Sequence, residues 1–196
     1  MDLALLFSGG KDSSLAALLL SEFYDVTLVT THFGVTDDWS HAEATARTLE
    51  LPFEAVELDQ DVAAEAVETM REDGFPRNGI QRVHEHALET VAERDVAAIG
   101  DGTRRDDRVP SVSRAQAQSL EDRHDIDYIA PLSGFGRGAV DRLADARLEV
   151  ESGPSEDIRK GDYETELRAL LREDGGEEAV RDVFPDHTQT RVVGLR

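Results

Sequence analysis

No cysteine occurs in the 196 residues. This excludes disulfides, thiolate metal sites, iron–sulfur clusters and any catalytic persulfide carried by the chain itself. Lysine is nearly absent too: Lys11 and Lys160 stand alone among 21 basic residues, the rest being arginine. In a chain that otherwise carries positive charge as a planar guanidinium, two lysines mark places where a compact ammonium is wanted. No apolar run is long enough to span a bilayer and no signal-peptide core is present, so no membrane role is expected and the cytoplasm is the expected compartment. Acidic residues number 42 against those 21, a formal net charge of −21, and they are spread along the chain. Such a surface repels itself and suits nucleic acid poorly by bulk charge. High acidity with little lysine also resembles the composition of halophilic proteins, where salt screens the repulsion and net charge argues only weakly against RNA. Two common nucleotide loops are missing, since neither GxxxxGK[ST] nor GxGxxG is found.

What is present is Ser8-Gly9-Gly10-Lys11-Asp12-Ser13-Ser14. It follows the apolar run Leu3–Phe7, which reads as a buried strand, and leads into Leu15–Leu20, which reads as a helix. A strand, a glycine turn and a helix N-terminus make an anion site, because free N–H groups of the first turn point at the ligand. The plainer alternative is a glycine turn with a Ser or Asp helix cap. A cap needs one such residue, however, and a lysine in the first turn opposes the helix dipole unless an anion is near.

Further strands read at Val26–Thr31, Phe53–Leu58, Val96–Ile99 and Asp127–Leu132, with helices between them. The expected fold is α/β, a Rossmann-like (HUP-type) parallel five-stranded sheet of order 3-2-1-4-5 with helices on both faces. Residues 1–135 would form this domain, and 136–196 a small C-terminal α+β extension in which 188–195 pairs with 148–151. After the fourth strand comes Gly100-Asp101-Gly102-Thr103-Arg104-Arg105-Asp106-Asp107-Arg108. In that strand order it faces the first loop at the switch point where ligands bind. Its aspartates suit Mg²⁺, which takes one or two carboxylates beside phosphate oxygens, and its arginines suit charge building on phosphate. A solvated charged loop is the alternative. Arg137, in a third glycine-rich loop, and Lys160 are candidate contacts to phosphate or substrate. His84 and His86 are two apart, point to different faces of one helix, and read as surface or packing residues.

The motif Ser8-Gly9-Gly10-Lys11-Asp12-Ser13 after an N-terminal strand resembles the PP-loop of the ATP pyrophosphatases, the adenine-nucleotide alpha-hydrolase-like group. The short chain is similar to stand-alone, archaeal-type members related to tRNA thiolation. The resemblance covers the loop alone. It implies cleavage of ATP between the α- and β-phosphates, giving an adenylylated substrate and pyrophosphate, with a nucleophile then displacing AMP. Residues 8–14 and Gly100–Thr103 would bind ATP. Lys11, Asp12 and Asp107 would be catalytic, and Asp12 with Asp106 or Asp107 would hold Mg²⁺. Arg104, Arg108, Arg137 and Lys160 would face the substrate. Because the end of the second strand borders the adenine pocket in that family, Thr31, His32 and Phe33 become candidate base contacts. With no cysteine in the chain, sulfur would come from a partner protein or as sulfide. An amide-forming ligase would draw ammonia from outside, and tRNA and a second copy in a homodimer complete the possible partners. A nucleotide-binding regulatory protein of the universal-stress type is the rival outside enzymes.

Overall fold

Side chains of β1 (Asp2–Leu6) divide by parity: Ala4 and Leu6 enter one core, while Leu3, Leu5 and the following Phe7 enter another. Val29 and Ile99 join the first set, and Val26, Leu28 and Ala98 the second. This is the period-2 pattern of strands buried on both faces. The computed structural model, which describes residues 1–155 and 157–196, places these segments at the centre of a parallel sheet. Its strands are β1, β2 (Asp25–His32), β3 (Phe53–Glu57), β4 (Ala98–Gly100) and β5 (Asp127–Ile129), ordered β3-β2-β1-β4-β5 as the sequence led us to expect. One face is covered by α3 (Gln60–Asp73), α4 (Arg77–Ala92), α5 (Arg114–His124) and α7 (Tyr163–Val183). The other is covered by α1 (Lys11–Leu20), α2 (Trp39–Thr48) and α6 (Arg137–Arg147).

The helices differ in how they begin. Asp59 caps α3 by accepting from Asp61 N–H, Ser113 and Gln116 form a reciprocal capping box on α5, and Asp162 accepts from Thr165 N–H at the start of α7. By contrast α1 starts at Gly10 with no side-chain cap. Helices α2, α4 and α6 likewise start without a side-chain cap; at α1, which follows the glycine loop, this leaves N–H groups of the first turn to other partners.

The C-terminal extension closes over this loop. β6 (Leu148–Pro154) and β7 (Thr188–Leu195) pair antiparallel. The sequence suggested two helices between them. The structure has one run, α7, interrupted at Gly176, whose φ of 69° and ψ of −168° are not helical. β7 reaches the glycine loop directly: Val192 N–H donates to Gly9 C=O at 3.1 Å, and Thr45 Oγ1 of α2 donates to Val192 C=O at 3.1 Å. Glu166 of α7, only 2% exposed, accepts from the N–H groups of Phe33, Val35 and Thr36 at 2.7, 2.9 and 3.3 Å. One buried carboxylate thereby gathers the turn after β2 onto α7, satisfying three donors that would otherwise be stranded. No helix among the described residues is long and apolar enough to cross a membrane.

Candidate functional site

At the carboxyl end of β1 the chain turns through Gly9, whose φ of +76° is left-handed and favours glycine. Hydroxyl groups knit the loop together: Ser8 N–H donates to Ser13 Oγ at 3.4 Å, Gly10 N–H to Ser8 Oγ at 3.3 Å, and Ser13 Oγ to Gly10 C=O at 3.2 Å. Lys11 N–H donates to Thr190 Oγ1 of β7 at 3.3 Å. Ser14, expected to touch nucleotide, is fully buried, and its Oγ has no hydrogen-bond partner.

The loop after β4 lies against this turn. A Cβ on Gly102 would come within 2.8 Å of Ser13 N and 2.9 Å of Ser13 Cα, so two backbones meet where no side chain fits. The Arg104 guanidinium sits beside it among three carboxylates, with Asp107 at 2.5 Å, Asp12 at 3.5 Å and Asp106 at 3.9 Å. Burial works against the charge of Arg104, but its bond to Asp107 and the surrounding carboxylates raise its pKa further. The bond that Asp106 accepts from Arg137 N–H at 2.9 Å, at the start of α6, holds its own carboxyl below the ordinary range. Arg108 and the side chain of Arg137 are exposed.

Between the two loops and the extension lies a cavity of about 260 Å³, just under the size of most small-molecule pockets, about 300–1,000 Å³. Leu6, Phe7, Val29, Ile80, Val109 and Pro110 give it an apolar wall. Ser8, Asp12, Ser13, Thr31, Asp101, Gly102, Thr103 and Asp107 supply the polar side predicted from sequence, and Lys160–Glu164 enters from the extension. Several expectations need correction. Phe33 has no exposed surface and packs in the core, so it is not a base contact. His32 stacks on Trp39 at 6.0 Å and accepts from Gly34 N–H through Nδ1; neither it nor Phe33 lines the cavity. Lys11 lies outside it as well, its ammonium 2.6 Å from Asp141 of α6 and 2.9 Å from Asp12. Asp106, Arg104, Arg108 and Arg137 also lie outside the lining.

Among the described residues no group of three His, Asp or Glu side chains is arranged to cage a metal ion. Asp12, Asp106 and Asp107 converge on Arg104 and not on a common point. The donor set does fit the sparser Mg²⁺ mode of one or two carboxylates beside phosphates. Asp12 and Asp107 both reach the cavity, and Asp12 Oδ1 is buried without a hydrogen bond, though Lys11 Nζ is near.

His84 and Tyr163, which the sequence reading had set aside or passed over, complete the site. His84 was taken for surface or packing, yet it is 3% exposed, lines the cavity and bonds at both ring nitrogens. Nε2 lies 2.9 Å from Asp101 Oδ2 and Nδ1 lies 2.6 Å from the Tyr163 hydroxyl. Asp101 accepts further from Tyr128 O–H at 2.9 Å and from Thr103 N–H and O–H at 2.9 and 2.6 Å. Burial pushes the Asp101 carboxyl up, but His84 and Thr103 outweigh it and hold it below the ordinary range. Burial, then the charges of Asp101 and Asp162, drive the Tyr163 phenol well above its usual value. Lys160 bonds Asp162 at 2.8 Å; burial opposes its charge, and Asp162, Glu164 and Asp12 more than restore it. A signal for His84 existed: it stands four residues after Ile80 and four before Leu88, on the buried stripe of α4.

Relatives cover the whole chain. An uncharacterized protein of Methanocaldococcus jannaschii is 43% identical over 197 residues, spanning 100% of this chain and 97% of its own. A solved structure from Methanocaldococcus jannaschii, described as a predicted subunit of tRNA methyltransferase, superposes with a TM-score of 0.91 at 42% identity, covering 100% of this chain and 98% of that one. The U34-tRNA thiolase NcsA of Methanococcus maripaludis is far less similar, with a TM-score of 0.46 and 17% identity over 74% of this chain and 56% of its own. A match along residues 1–194 places the chain in the family of unknown function DUF7411, and it belongs to that family.

Proposed function

We propose that this protein binds ATP in the cavity between Ser8–Ser13 and Lys160–Glu164 and cleaves it between the α- and β-phosphates, adenylylating an acceptor in tRNA modification. The observation that carries the reading is the convergence of the PP-loop-like turn, the α1 N-terminus without a side-chain cap, the Asp101–Asp107 loop and Lys160 at the β1/β4 end of the sheet. The first turn of α1 offers N–H groups to a phosphate, and Lys160 adds a compact positive charge. The apolar wall of Leu6, Val29, Ile80 and Val109 suits a base or ribose face. Asp12 and Asp107 would hold Mg²⁺, which would neutralise phosphate charge. Arg104, held by those same two carboxylates, would add positive charge beside the bound phosphates.

The tRNA part rests on the description of the solved relative at 42% identity. A chain without cysteine would receive sulfur or ammonia from a partner. The test is ATP turnover in concentrated KCl with Mg²⁺, measuring AMP and pyrophosphate separately from ADP and phosphate, with and without bulk tRNA. AMP and pyrophosphate, made faster when tRNA is added, are expected. ADP and phosphate would overturn the reading, and ATP binding without turnover would favour a regulatory nucleotide-binding protein.

A further inference from the structure

Adenylyl transfer as described above uses carboxylates, a lysine and an arginine, and leaves the buried Asp101–His84–Tyr163 chain unemployed. That chain is ordered by its acceptor end. The Asp101 carboxylate offers only lone pairs, so each of its four close neighbours must donate to it. His84 Nε2 therefore carries a proton whatever the charge of the ring, and in the neutral ring Nδ1 holds the lone pair. That lone pair faces the Tyr163 hydroxyl at 2.6 Å. Tyr163, the first residue of α7, lines the same cavity as Asp12 and Ser13. The three residues come from β4's end, α4 and α7, so the arrangement exists only when the extension is seated.

We propose that Tyr163, His84 and Asp101 form a proton relay that deprotonates the protic nucleophile entering this cavity; the inference rests on the adenylyl-transfer reading. With ATP alone the nucleophile is water. Its oxygen forms the new bond to the α-phosphorus while the bond from that phosphorus to the bridging oxygen breaks, and the electron pair leaves with pyrophosphate. The water's O–H bond breaks and its proton passes to the Tyr163 oxygen, as the phenol proton passes to His84 Nδ1. The imidazolium so formed faces Asp101, which stays ionised. The strongly raised phenol pKa fits this part, because Tyr163 hands a proton on and never holds a negative charge. The same steps serve an amine or hydrosulfide displacing AMP.

Two measurements test the relay. Nitrogen-15 spectra of the His84 ring should show a neutral imidazole with hydrogen on Nε2 and none on Nδ1; an Nδ1–H tautomer overturns the relay whether or not ATP is cleaved. In turnover with MgATP, Tyr163→Phe should slow AMP formation by about 100-fold, within the range of general-base catalysis, while ATP affinity changes little. His84→Gln should do the same, and the double variant should be no slower than either single one, since the groups act as a unit. Tyr128→Phe removes a hydrogen bond from the same network, the one that Asp101 accepts from the Tyr128 hydroxyl at 2.9 Å, but leads nowhere near the nucleophile. It should lower the melting temperature about as much as Tyr163→Phe and slow AMP formation far less. Equal slowing by both variants, or full activity in Tyr163→Phe, overturns the relay and leaves ATP cleavage standing. Absence of AMP from the wild-type protein overturns the ATP reading itself, and the relay with it.

Discussion

Two segments meet at the cavity and are made on opposite principles. Ser8–Ser14 is local: a strand, a glycine with left-handed φ and a helix start, all within one short stretch, with backbone groups facing outward. Lys160–Glu164 is remote: it contributes side chains, and its place depends on Gly161 N–H donating to Ser8 C=O at 3.0 Å and on α7 seated by Glu166. The two lysines sharpen the contrast. The one inside the motif is turned to Asp141, outside the cavity wall, and the one far along the chain lines it. Under the proposed function, a local motif would fix where an anion is received, and the long-range contacts would decide which charged side chains receive it.

The comparison can be broken most severely at Glu166. Glu166→Ala strands the buried N–H of Phe33 and the half-buried ones of Val35 and Thr36 and should cost about 3 kcal/mol in chemical denaturation. A loss below about 1 kcal/mol would mean that other contacts seat α7. Next come the lysines. Lys160→Ala should weaken ATP binding roughly 10- to 100-fold, the worth of a charged hydrogen bond, with a smaller loss for Lys11→Ala. Equal losses by calorimetry would show that Lys11 leaves Asp141 for the ligand. Gly102→Ala pushes a methyl group into Ser13 backbone and should cost about 1–2 kcal/mol as overpacking, with AMP formation falling further than stability alone explains. Loop contact of a looser kind would leave both unchanged.

The smallest effect concerns His187 and Glu164, 3.3 Å apart. The bond to Glu164 raises the His187 pKa above its usual 6.5. On Glu164, burial acts upward, but His187, Lys160 and Arg168 bring the carboxyl below 4.5. The histidine's share of stability is therefore complete below 6.5 and is lost as pH rises through the raised value. The glutamate's share is present above 4.5 and is lost as pH falls through the lowered one. His187→Ala should then cost less than about 1 kcal/mol near neutrality, and the gap to wild type in denaturant midpoint should close in alkaline buffer.

The sheet order was legible because strand signals and apolar runs are local, and because switch-point geometry follows from strand order alone. The two facing loops were legible for the same reason. His84 was not, since two histidines two apart fall on different helix faces and read as surface or packing residues, while the partners of His84 lie 17 and 79 residues away. Tyr163 carries no motif, and its place on the cavity wall arises from a helix packed across the sheet. Phe33 misled because strand-end position was read without burial: the strand end that brings Thr31 to the cavity leads Phe33 into the core.

The bond from Lys11 N–H to Thr190 spans 179 positions. The glycine loop is therefore synthesised long before its partners in β7. Until Thr190 and Val192 emerge, the loop lacks its partners in β7, and the cavity lacks its wall at Lys160–Glu164. Such non-local closure slows folding, and under the proposed reading it would also delay nucleotide capture. A nascent chain carrying every residue of the PP-loop-like motif would still be unable to complete the pocket, so under the proposed reading ATP use would wait for residues 160–192.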